Sequence, residues 1–363
     1  MSKLGVSVYP ERSTFEKDAA YLDLAAKYGY KRVFTSLLEI KGNADEVVAN
    51  FKKVIAYANK LGLEVMVDVN PGLFKQLGVS YDDLSFFHDL GAWGVRLDLG
   101  FTGEEESRMT HNPYGIKIEV NMSKGTHYVD TIMDYSPAKD NLLGSHNFYP
   151  QQYTGLGYDY FVQTSNQYRQ YGINTAAFVS SNDATYGPWP MQDGLCTLEQ
   201  HRGLPLAAQV QHLKMTGLID DVLIGNAYAS EAELKAVSDV FFSPYPLLHV
   251  ETVAGLTDAE HAVLFDQPQT YRGDFSDYVI RSSETRVIYK DRDFPAHDTT
   301  DIHAGDLLID NNEFGQYKGE LQIARRDFKN TGRINVVGHV IAAEQQCLAL
   351  LAPWADFKLV AAK

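Results

Sequence analysis

The sequence is short of cysteine, of positive charge and of long apolar runs. Only Cys196 and Cys347 occur among 363 residues, too few and too far apart to predict a disulfide framework or a zinc site. With 47 acidic against 32 basic side chains, the net charge of −15 argues against binding to nucleic acid or to an anionic membrane. Neither a run of about eighteen apolar residues nor a basic segment leading into an apolar one occurs, so we expect a cytoplasmic protein.

The first 241 residues alternate short apolar runs with helical patterns. We predict strands at Leu4–Tyr9, Arg32–Leu38, Glu64–Asn70, Gly94–Leu99, Lys117–Met122, Leu142–Tyr149, Ile173–Val179 and Val222–Asn226. Eight strand–helix units of this size fit a (β/α)₈ TIM barrel better than an open doubly wound sheet. A glycine-rich dinucleotide fingerprint is missing after the first strand. Ser13 and Ser230 are the expected caps of the first and last helices, since each precedes a glutamate by three residues.

A change of pattern after Phe241 predicts a second domain. Ser243-Pro-Tyr-Pro246 is typical of a linker, so we divide the chain into a barrel at 1–241 and a β-domain at 242–363. Short strands are predicted at Leu247–Val253, Ala262–Phe265, Tyr278–Arg281, Arg286–Tyr289, Asp306–Asp310, Glu320–Ala324 and Ile334–Val340. They suggest a small antiparallel barrel or sandwich, which we expect to pack near the rim of the first domain.

Polar side chains alternate with apolar ones on three neighbouring strands of the barrel. Asp68 lies on the third strand, Arg96 and Asp98 on the fourth, and Glu119 on the fifth. On each strand these residues share one face, because successive side chains alternate between the two sides. Strands separated by helices are buried on both sides, and a buried face that collects carboxylates normally does so to perform chemistry.

The active site of such a barrel lies at the C-terminal ends of its strands. Besides the three carboxylates, the candidate substrate-binding residues there are Tyr9, Glu39, Asn70, Arg96, Asn121, Asn147, Tyr149 and Asn226. Tyr186 and Trp189, in the loop after the seventh strand, either stack on a sugar ring or fill the core.

The carboxylates suit a glycosidase. Such an enzyme needs two carboxyl groups about 5–5.5 Å apart for retention or roughly 6.5–9.5 Å apart for inversion, and neighbouring barrel strands can supply either. We predict Asp98 and Glu119 as the working pair and Asp68 as the best substitute for either. Arg96 near Asp98 favours the ionised form of that carboxyl, which suits a nucleophile or base and leaves Glu119 as the acid.

Two other interpretations of the carboxylates remain open. A metal-dependent sugar isomerase or epimerase would use several carboxylates and a histidine as ligands, and His146 could join Glu39, Asp68 and Glu119. In a purely structural role the carboxylates would be hydrogen-bonded partners of buried cations such as Arg96. Three such networks at one rim would be costly, which favours chemistry.

Positive charge collects at two places that suit an anion. His201 and Arg202 follow the loop after the seventh strand, a region where barrels often bind phosphate. In the second domain, Arg281-Ser-Ser-Glu-Thr-Arg286 brings together two guanidinium groups and three hydroxyls, a composition suited to phosphate or carboxylate. A solvated helix start and a plain hairpin turn would have the same compositions, so both sites stay candidates.

Six stretches carry a likeness that extends over essentially the whole chain. They are Leu4-Gly-Val-Ser-Val-Tyr-Pro-Glu11, Arg32-Val-Phe-Thr-Ser-Leu-Leu38, Val67-Asp-Val-Asn-Pro71, Val95-Arg-Leu-Asp-Leu-Gly-Phe101, Ile118-Glu-Val-Asn-Met-Ser123 and His146-Asn-Phe-Tyr-Pro150. With them the sequence resembles a bacterial family, formerly of uncharacterised or "outer surface" proteins, that is associated with 6-phospho-N-acetylmuramidase activity. The resemblance implies a TIM barrel followed by a small cyclophilin-like β-domain.

The resemblance also implies an activity and a substrate. The enzyme would be a cytoplasmic hydrolase of the phosphorylated muramic acid–glucosamine disaccharide that is taken up during cell-wall recycling. We predict that it uses no metal or other cofactor. A 6-phosphate and a lactyl carboxylate bring about three negative charges, so a basic pocket is needed, with Arg96, Arg202, Arg281 and Arg286 as candidates. The substrate's acetamido oxygen offers an alternative nucleophile. A non-catalytic sugar-phosphate-binding protein is the remaining alternative.

Overall fold

A computed structural model describes residues 2–37, 44–70, 72–74, 79–190 and 193–362. The chain divides into two compact units, Met1–Phe241 and Phe242–Lys363. Within the described ranges, no helix has both the length and the apolar character needed to cross a bilayer.

The described residues of the first unit contain eight parallel strands that close into a barrel in chain order. The strands are β1 Leu4–Ser7, β2 Arg32–Ser36, β3 Glu64–Val69, β4 Gly94–Leu97, β5 Lys117–Asn121, β6 Leu142–Ser145, β7 Asn174–Val179 and β8 Asp221–Ile224. The sheet closes because β1 pairs with both β2 and β8, with Gly5 opposite Arg32 and Val6 opposite Ile224. The predicted TIM barrel is confirmed, although the predicted end of the second strand at Leu38 lies outside the described residues.

Helices alternate with these strands. They are α1 Phe15–Lys27, α2 Ala44–Lys60, α3 Ser85–Leu90, α4 Glu104–Thr110, α5 Tyr128–Asp134, α6 Tyr158–Arg169, α7 Leu206–Thr216 and α8 Glu231–Phe242. In α2 the buried residues Phe51, Val54, Ile55 and Ala58 follow the i, i+3, i+4, i+7 pattern, so one face of the helix is apolar.

The predicted N-cap residue is wrong for α1 and confirmed for α8. Thr14 caps α1 by accepting the backbone N–H three residues further on at 3.4 Å. The expected cap, Ser13, instead shares a hydrogen bond with the Tyr228 hydroxyl, so that prediction was wrong by one residue. At α8 the predicted cap is confirmed, since the Ser230 hydroxyl accepts the Glu233 N–H at 3.3 Å.

The barrel sheet is buried on both faces. Outward side chains such as Val65, Val67 and Ile118 are apolar and buried. Among the inward side chains, Phe34 and Phe178 meet edge to face with ring centroids 5.1 Å apart. Charged side chains share this interior, and because parallel barrels fill it with side chains, each charge must find a partner inside the protein.

The second unit is mainly β, as predicted. Its strands are β9 Leu247–Thr252, β10 Gln269–Thr270, β11 Val279–Ser282, β12 Asp306–Asp310, β13 Leu321–Ala324, β14 Ile334–Val340 and β15 Asp356–Ala361. Among the described residues they form one sheet in the order β10-β15-β9-β14-β12-β13-β11. The expected all-antiparallel pairing is corrected at one place, because β15 runs parallel to β9.

Two predicted strands of the second unit are helices, α9 Asp258–Phe265 and α10 Thr285–Ile288. The prediction of strands at Ala262–Phe265 and Arg286–Tyr289 was therefore wrong. At α9 the reason is a capping box: the Thr257 hydroxyl accepts the Glu260 N–H at 3.2 Å, and the Glu260 carboxylate accepts the Thr257 N–H at 3.0 Å. This start signal outweighs the short apolar run that follows it.

Candidate active site

Arg96 is the centre of a polar cluster at the C-terminal ends of the barrel strands. Its side chain lies on the inward face of β4 and is nearly buried. Nε donates to Ser145 Oγ at 2.7 Å, Nη1 to Asp68 Oδ1 at 2.7 Å, and Nη2 to Asn147 Oδ1 at 2.5 Å. One planar guanidinium therefore fixes side chains from β3, from β6 and from the loop after β6.

Asp98, the residue after β4, supplies a second carboxylate to the same guanidinium. Its Oδ1 is 3.7 Å from Arg96 Nη1, the nitrogen that also binds Asp68. The two oxygens that face this nitrogen are therefore at most about 6.4 Å apart, so both carboxyl groups lie close enough to act on one glycosidic bond. The Asp98 side chain is 35% exposed, whereas Asp68 is 4% exposed.

These groups line one small pocket. Its lining residues are Asp68, Arg96, Asp98, Asn147, Phe148 and Trp189. The rings of Phe148 and Trp189 pack edge to face with centroids 5.9 Å apart, and Trp189 is 41% exposed. The pocket thus combines two carboxylates with an aromatic wall, and it brings together four of the residues predicted from the sequence.

Burial makes Asp68 a weaker acid than an aspartate exposed to water. Loss of water raises the pKa of Asp68 to about 7; the charge of Arg96 acts against this rise, and the neighbouring carboxylates Asp98 and Glu119 add to it. A group with this pKa is about half protonated at pH 7 and can donate a proton. Burial also raises the pKa of Tyr9, whose hydroxyl stays protonated and donates to a backbone carbonyl of the loop after β8.

Glu119 lies inside the barrel and is fully buried. Its Oε2 accepts a hydrogen bond of 2.5 Å from Nη2 of Arg32, whose Nη1 binds Asp221 Oδ2 at 3.1 Å. The expected position of Glu119 at the open mouth was therefore wrong. The Glu119 side chain stays inside the barrel because it binds the positively charged Arg32. Arg32 lies on β2, which is not adjacent to β5.

His146 faces away from the barrel interior. Its Nδ1 lies 3.2 Å from Ser123 Oγ and its Nε2 lies 2.9 Å from Ser165 Oγ on α6. Burial lowers the pKa of this imidazole to about 3, so it is neutral. The metal site considered for His146 is not formed in this arrangement, and Glu39, its other possible ligand, lies outside the described residues. Within the described ranges, no group of three or more histidine, cysteine or acidic side chains could hold a metal ion.

Three of the other predicted residues shape loops near the strand ends. Asn70 Oδ1 accepts the backbone N–H three residues further on at 3.0 Å. Asn121 Nδ2 donates to the backbone oxygen of Asp98 at 3.4 Å, and the Tyr149 N–H donates to the Cys196 oxygen at 3.1 Å. A contact between any of these three side chains and a substrate stays a prediction.

Arg202 and Asn226 line a separate polar pocket between the loops that follow β6, β7 and β8. The Asn226 amide binds both the N–H and the C=O of Ser181 at 2.8 Å. Arg202 donates from Nε and Nη2 to the Glu199 carboxylate at 2.7 and 2.8 Å and from Nη1 to the Asp193 oxygen at 2.7 Å. These hydrogen bonds lower the pKa of Glu199 to about 2, so a phosphate would have to displace an ionised carboxylate.

His201 does not reach this pocket. It is fully buried, and its Nε2 lies 2.9 Å from Nδ1 of His212. Burial lowers the pKa of His201 well below its ordinary value, so the ring is neutral. The prediction that His201 binds phosphate was therefore wrong.

In the second unit, Arg281 and Arg286 converge on one carboxylate. Glu320 is fully buried; its Oε1 accepts from Arg281 Nε at 2.6 Å, and its Oε2 lies 3.1 Å from Arg286 Nη1. Both arginines keep about a quarter of their side-chain surface exposed, 22% and 25%. Nearby Asp310 is buried, and desolvation together with the charge of Glu320 raises its pKa to about 7.

Three residues of the cluster were missed from the sequence: Arg32, Ser145 and Phe148. Alternation along the second and sixth strands placed Arg32 and Ser145 on the inward face, so this signal was present. The same alternation excludes His146 from the interior, because it follows Ser145 directly. Phe148 lies beyond the end of β6, where strand periodicity carries no information.

The chain is similar to two solved structures over nearly its whole length. A crystal structure of an uncharacterised B. cereus protein shares 45% identity with a TM-score of 0.91, covering 99% of each chain. A conserved protein of unknown function from Enterococcus faecalis shares 25% identity with a TM-score of 0.76, covering 99% of this chain and 96% of that one. No curated protein matches the chain.

Two family models match the two units separately. The model described as 6-phospho-N-acetylmuramidase, N-terminal, matches residues 4–239. The model described as 6-phospho-N-acetylmuramidase, C-terminal, matches residues 246–360. The resemblance inferred from the sequence motifs is therefore confirmed, and the chain belongs to the 6-phospho-N-acetylmuramidase family.

Proposed function

We propose that this chain is a glycosidase that hydrolyses a disaccharide containing 6-phosphorylated N-acetylmuramic acid. The observation that carries the proposal is the pair of carboxylates, Asp68 and Asp98, on one nitrogen of Arg96 at 2.7 and 3.7 Å. One carboxyl is buried and weakly acidic, and the other is partly open to solvent. Two carboxyl groups in different surroundings are what acid-assisted cleavage of a glycosidic bond requires.

In the proposed mechanism Asp68 is the general acid. Its proton passes to the glycosidic oxygen as the bond from that oxygen to the anomeric carbon breaks. Asp98, which is partly open to solvent, stabilises the positive charge that develops on the sugar ring. Asp68 thus takes the role expected for Glu119, because Asp68 lines the pocket and Glu119 does not.

A nucleophile then completes the reaction. Either Asp98 or the acetamido oxygen of the substrate forms a bond to the anomeric carbon, and water later displaces it while returning a proton to Asp68. If the acetamido oxygen attacks, Asp98 orients it.

The aromatic wall suits a sugar ring. Phe148 and Trp189 flank the carboxylates, and an exposed indole face can stack on the apolar side of a pyranose. Asn147 holds Arg96 and offers its amide donors to ring hydroxyls. We infer that the muramic acid ring binds here.

We propose that two arginines of the second unit form a site for an anionic group such as a sugar phosphate. Arg281 and Arg286 hold two guanidinium groups close together through Glu320 and keep exposed surface, which suits a bidentate anion. Arg202 is a poorer candidate, because the carboxylate of Glu199 binds it through two hydrogen bonds, whereas Arg281 and Arg286 share the one carboxylate of Glu320. The family resemblance implies a cytoplasmic role in cell-wall recycling, and we include that role in the proposal.

Titration of Asp68 tests the acid–base assignment. In carbon NMR spectra of aspartate-labelled protein, we expect carboxyl resonances of Asp68 and Asp310 to titrate near pH 7, since burial raises the pKa of each to about 7. The Asp68→Asn and Asp310→Asn variants assign the two signals. If every aspartate resonance titrates below about pH 5, Asp68 cannot act as the acid near neutral pH.

Substitution of the carboxylates tests the site itself. On a phosphorylated muramyl disaccharide, Asp68→Asn and Asp98→Asn should each lower kcat by roughly 10²–10⁴-fold, while Asp89→Asn on the exposed face of α3 should have no effect. Activity should survive a chelator. Full activity in both pocket variants would remove this pair from the mechanism, and loss of activity with the chelator would instead favour a metal-dependent isomerase.

Arginine substitutions test the phosphate site. Arg281→Ala or Arg286→Ala should weaken binding of a 6-phosphorylated amino sugar to the protein by about 1.5–3 kcal/mol and hardly change binding of the unphosphorylated one. Arg292→Ala, at an exposed arginine of the same unit, is the matched control. Equal losses for both substrates would mean that the two arginines maintain only the fold around Glu320.

A further inference from the structure

A row of alternating charges extends through the barrel interior beneath the pocket. Asp221 binds Arg32 at 3.1 Å, and Arg32 binds Glu119 at 2.5 Å. Glu119 Oε1 in turn lies 3.9 Å from Nε of Arg96, which holds Asp68. The two internal members, Arg32 and Glu119, have no exposed side-chain surface.

Stability alone does not account for this row. A buried ion pair normally contributes little, because desolvation of both charges offsets their attraction, and apolar side chains of similar volume often serve as well or better. The row is also incompletely hydrogen-bonded, since Arg32 Nε and Glu119 Oε1 are buried without a hydrogen-bond partner among the described residues. Barrel interiors are usually filled with branched apolar side chains.

The unpaired oxygen of Glu119 faces Arg96. At 3.9 Å it attracts the guanidinium without taking one of its donors, because Nε of Arg96 already donates to Ser145. Nη1 and Nη2 therefore stay available for Asp68 and for Asn147.

We propose that Glu119 is a positioning residue, whose buried charge holds Arg96 between the two pocket carboxylates and offsets part of its positive field at Asp68. This inference rests on the proposed function, because it takes Asp68 to be the general acid. Glu119 itself is bound by Arg32 and is not among the residues that line the pocket. Among the described residues, the charged and titratable groups that face Asp68 are Arg96, Asp98, Glu119 and Tyr9.

The proposal fixes the direction of a shift in the pH profile. A negative charge at Glu119 opposes ionisation of Asp68, so its loss lets Arg96 act more strongly on that carboxyl and lowers the pKa of Asp68. Activity that needs protonated Asp68 disappears as the pH rises through this pKa. The high-pH limb should therefore move to lower pH in Glu119→Gln.

The test compares kcat against pH for wild type, Glu119→Gln, Glu119→Asp and Asp221→Asn. Glu119→Gln should move the high-pH limb to lower pH by about 0.5–1 pH unit. Glu119→Asp keeps the negative charge, so its high-pH limb should lie close to that of the wild type. Asp221→Asn removes the other carboxylate bound to Arg32 and should leave the limb in place, even if it lowers the melting temperature. An unmoved limb in Glu119→Gln, or the same shift in Asp221→Asn, would overturn the proposal.

Two further measurements distinguish failure of this proposal from misfolding of the variant and from failure of the proposed function. If Glu119→Gln does not fold, the triple variant Arg32→Met, Glu119→Gln, Asp221→Asn removes the whole row of charges without leaving Asp221 unpaired, and it should shift the limb in the same direction. NMR titration of Asp68 in these variants needs no substrate, and an unchanged titration would also reject the proposal. Wild-type protein without activity on the phosphorylated disaccharide would reject the proposed function, whatever the titration of Asp68 shows.

Discussion

A guanidinium inside a protein must be surrounded by acceptors, and Arg96 sets this requirement for the mouth of the barrel. Its three nitrogens donate hydrogen bonds to Ser145, Asp68 and Asn147, and Asp98 forms an ion pair with Nη1 at 3.7 Å. Because the group is planar and rigid, the positions of its partners are fixed along with it. The same contacts that neutralise the arginine therefore place two carboxylates beside one pocket.

The cost of this arrangement falls on Asp68. Holding a carboxyl away from water favours its protonated form, and Arg96 compensates only in part. For a structural ion pair that would be a defect. For an acid that must carry a proton at neutral pH it is a requirement, which is why the burial of Asp68 and the partial exposure of Asp98 support catalysis over a purely structural role.

The fold and half of the site were predictable from the sequence, for different physical reasons. Hydrophobic periodicity and strand–helix alternation are local, so the barrel and the inward faces carrying Asp68, Arg96 and Asp98 could be predicted. The depth of a side chain inside the barrel is not local. Glu119 bonds Arg32, a residue 87 positions away on a strand that is not its neighbour, and no periodicity reports such a contact.

Other errors in the predictions arose where a correct local pattern in the sequence was given less weight than a competing one. Alternation places His146 outside the barrel, but its usefulness as a ligand favoured a site. Thr257 and Glu260 form a capping box, but the apolar run after them suggested a strand. Phosphate-binding roles were predicted for His201 and Arg202 from their position after the loop of the seventh strand, whereas the burial of His201 and the hydrogen bonds of Arg202 are tertiary properties that this position does not report.

The position of a bound substrate tests the central claim most directly. A crystal structure of the Asp68→Asn variant with an uncleaved phosphorylated muramyl disaccharide should place the glycosidic oxygen within about 3 Å of the side chain at position 68. The muramic acid ring should lie against Trp189, with its anomeric carbon or acetamido group facing Asp98. A disaccharide bound away from Arg96 and its two carboxylates, for instance in the pocket of Arg202 and Asn226, would contradict the account.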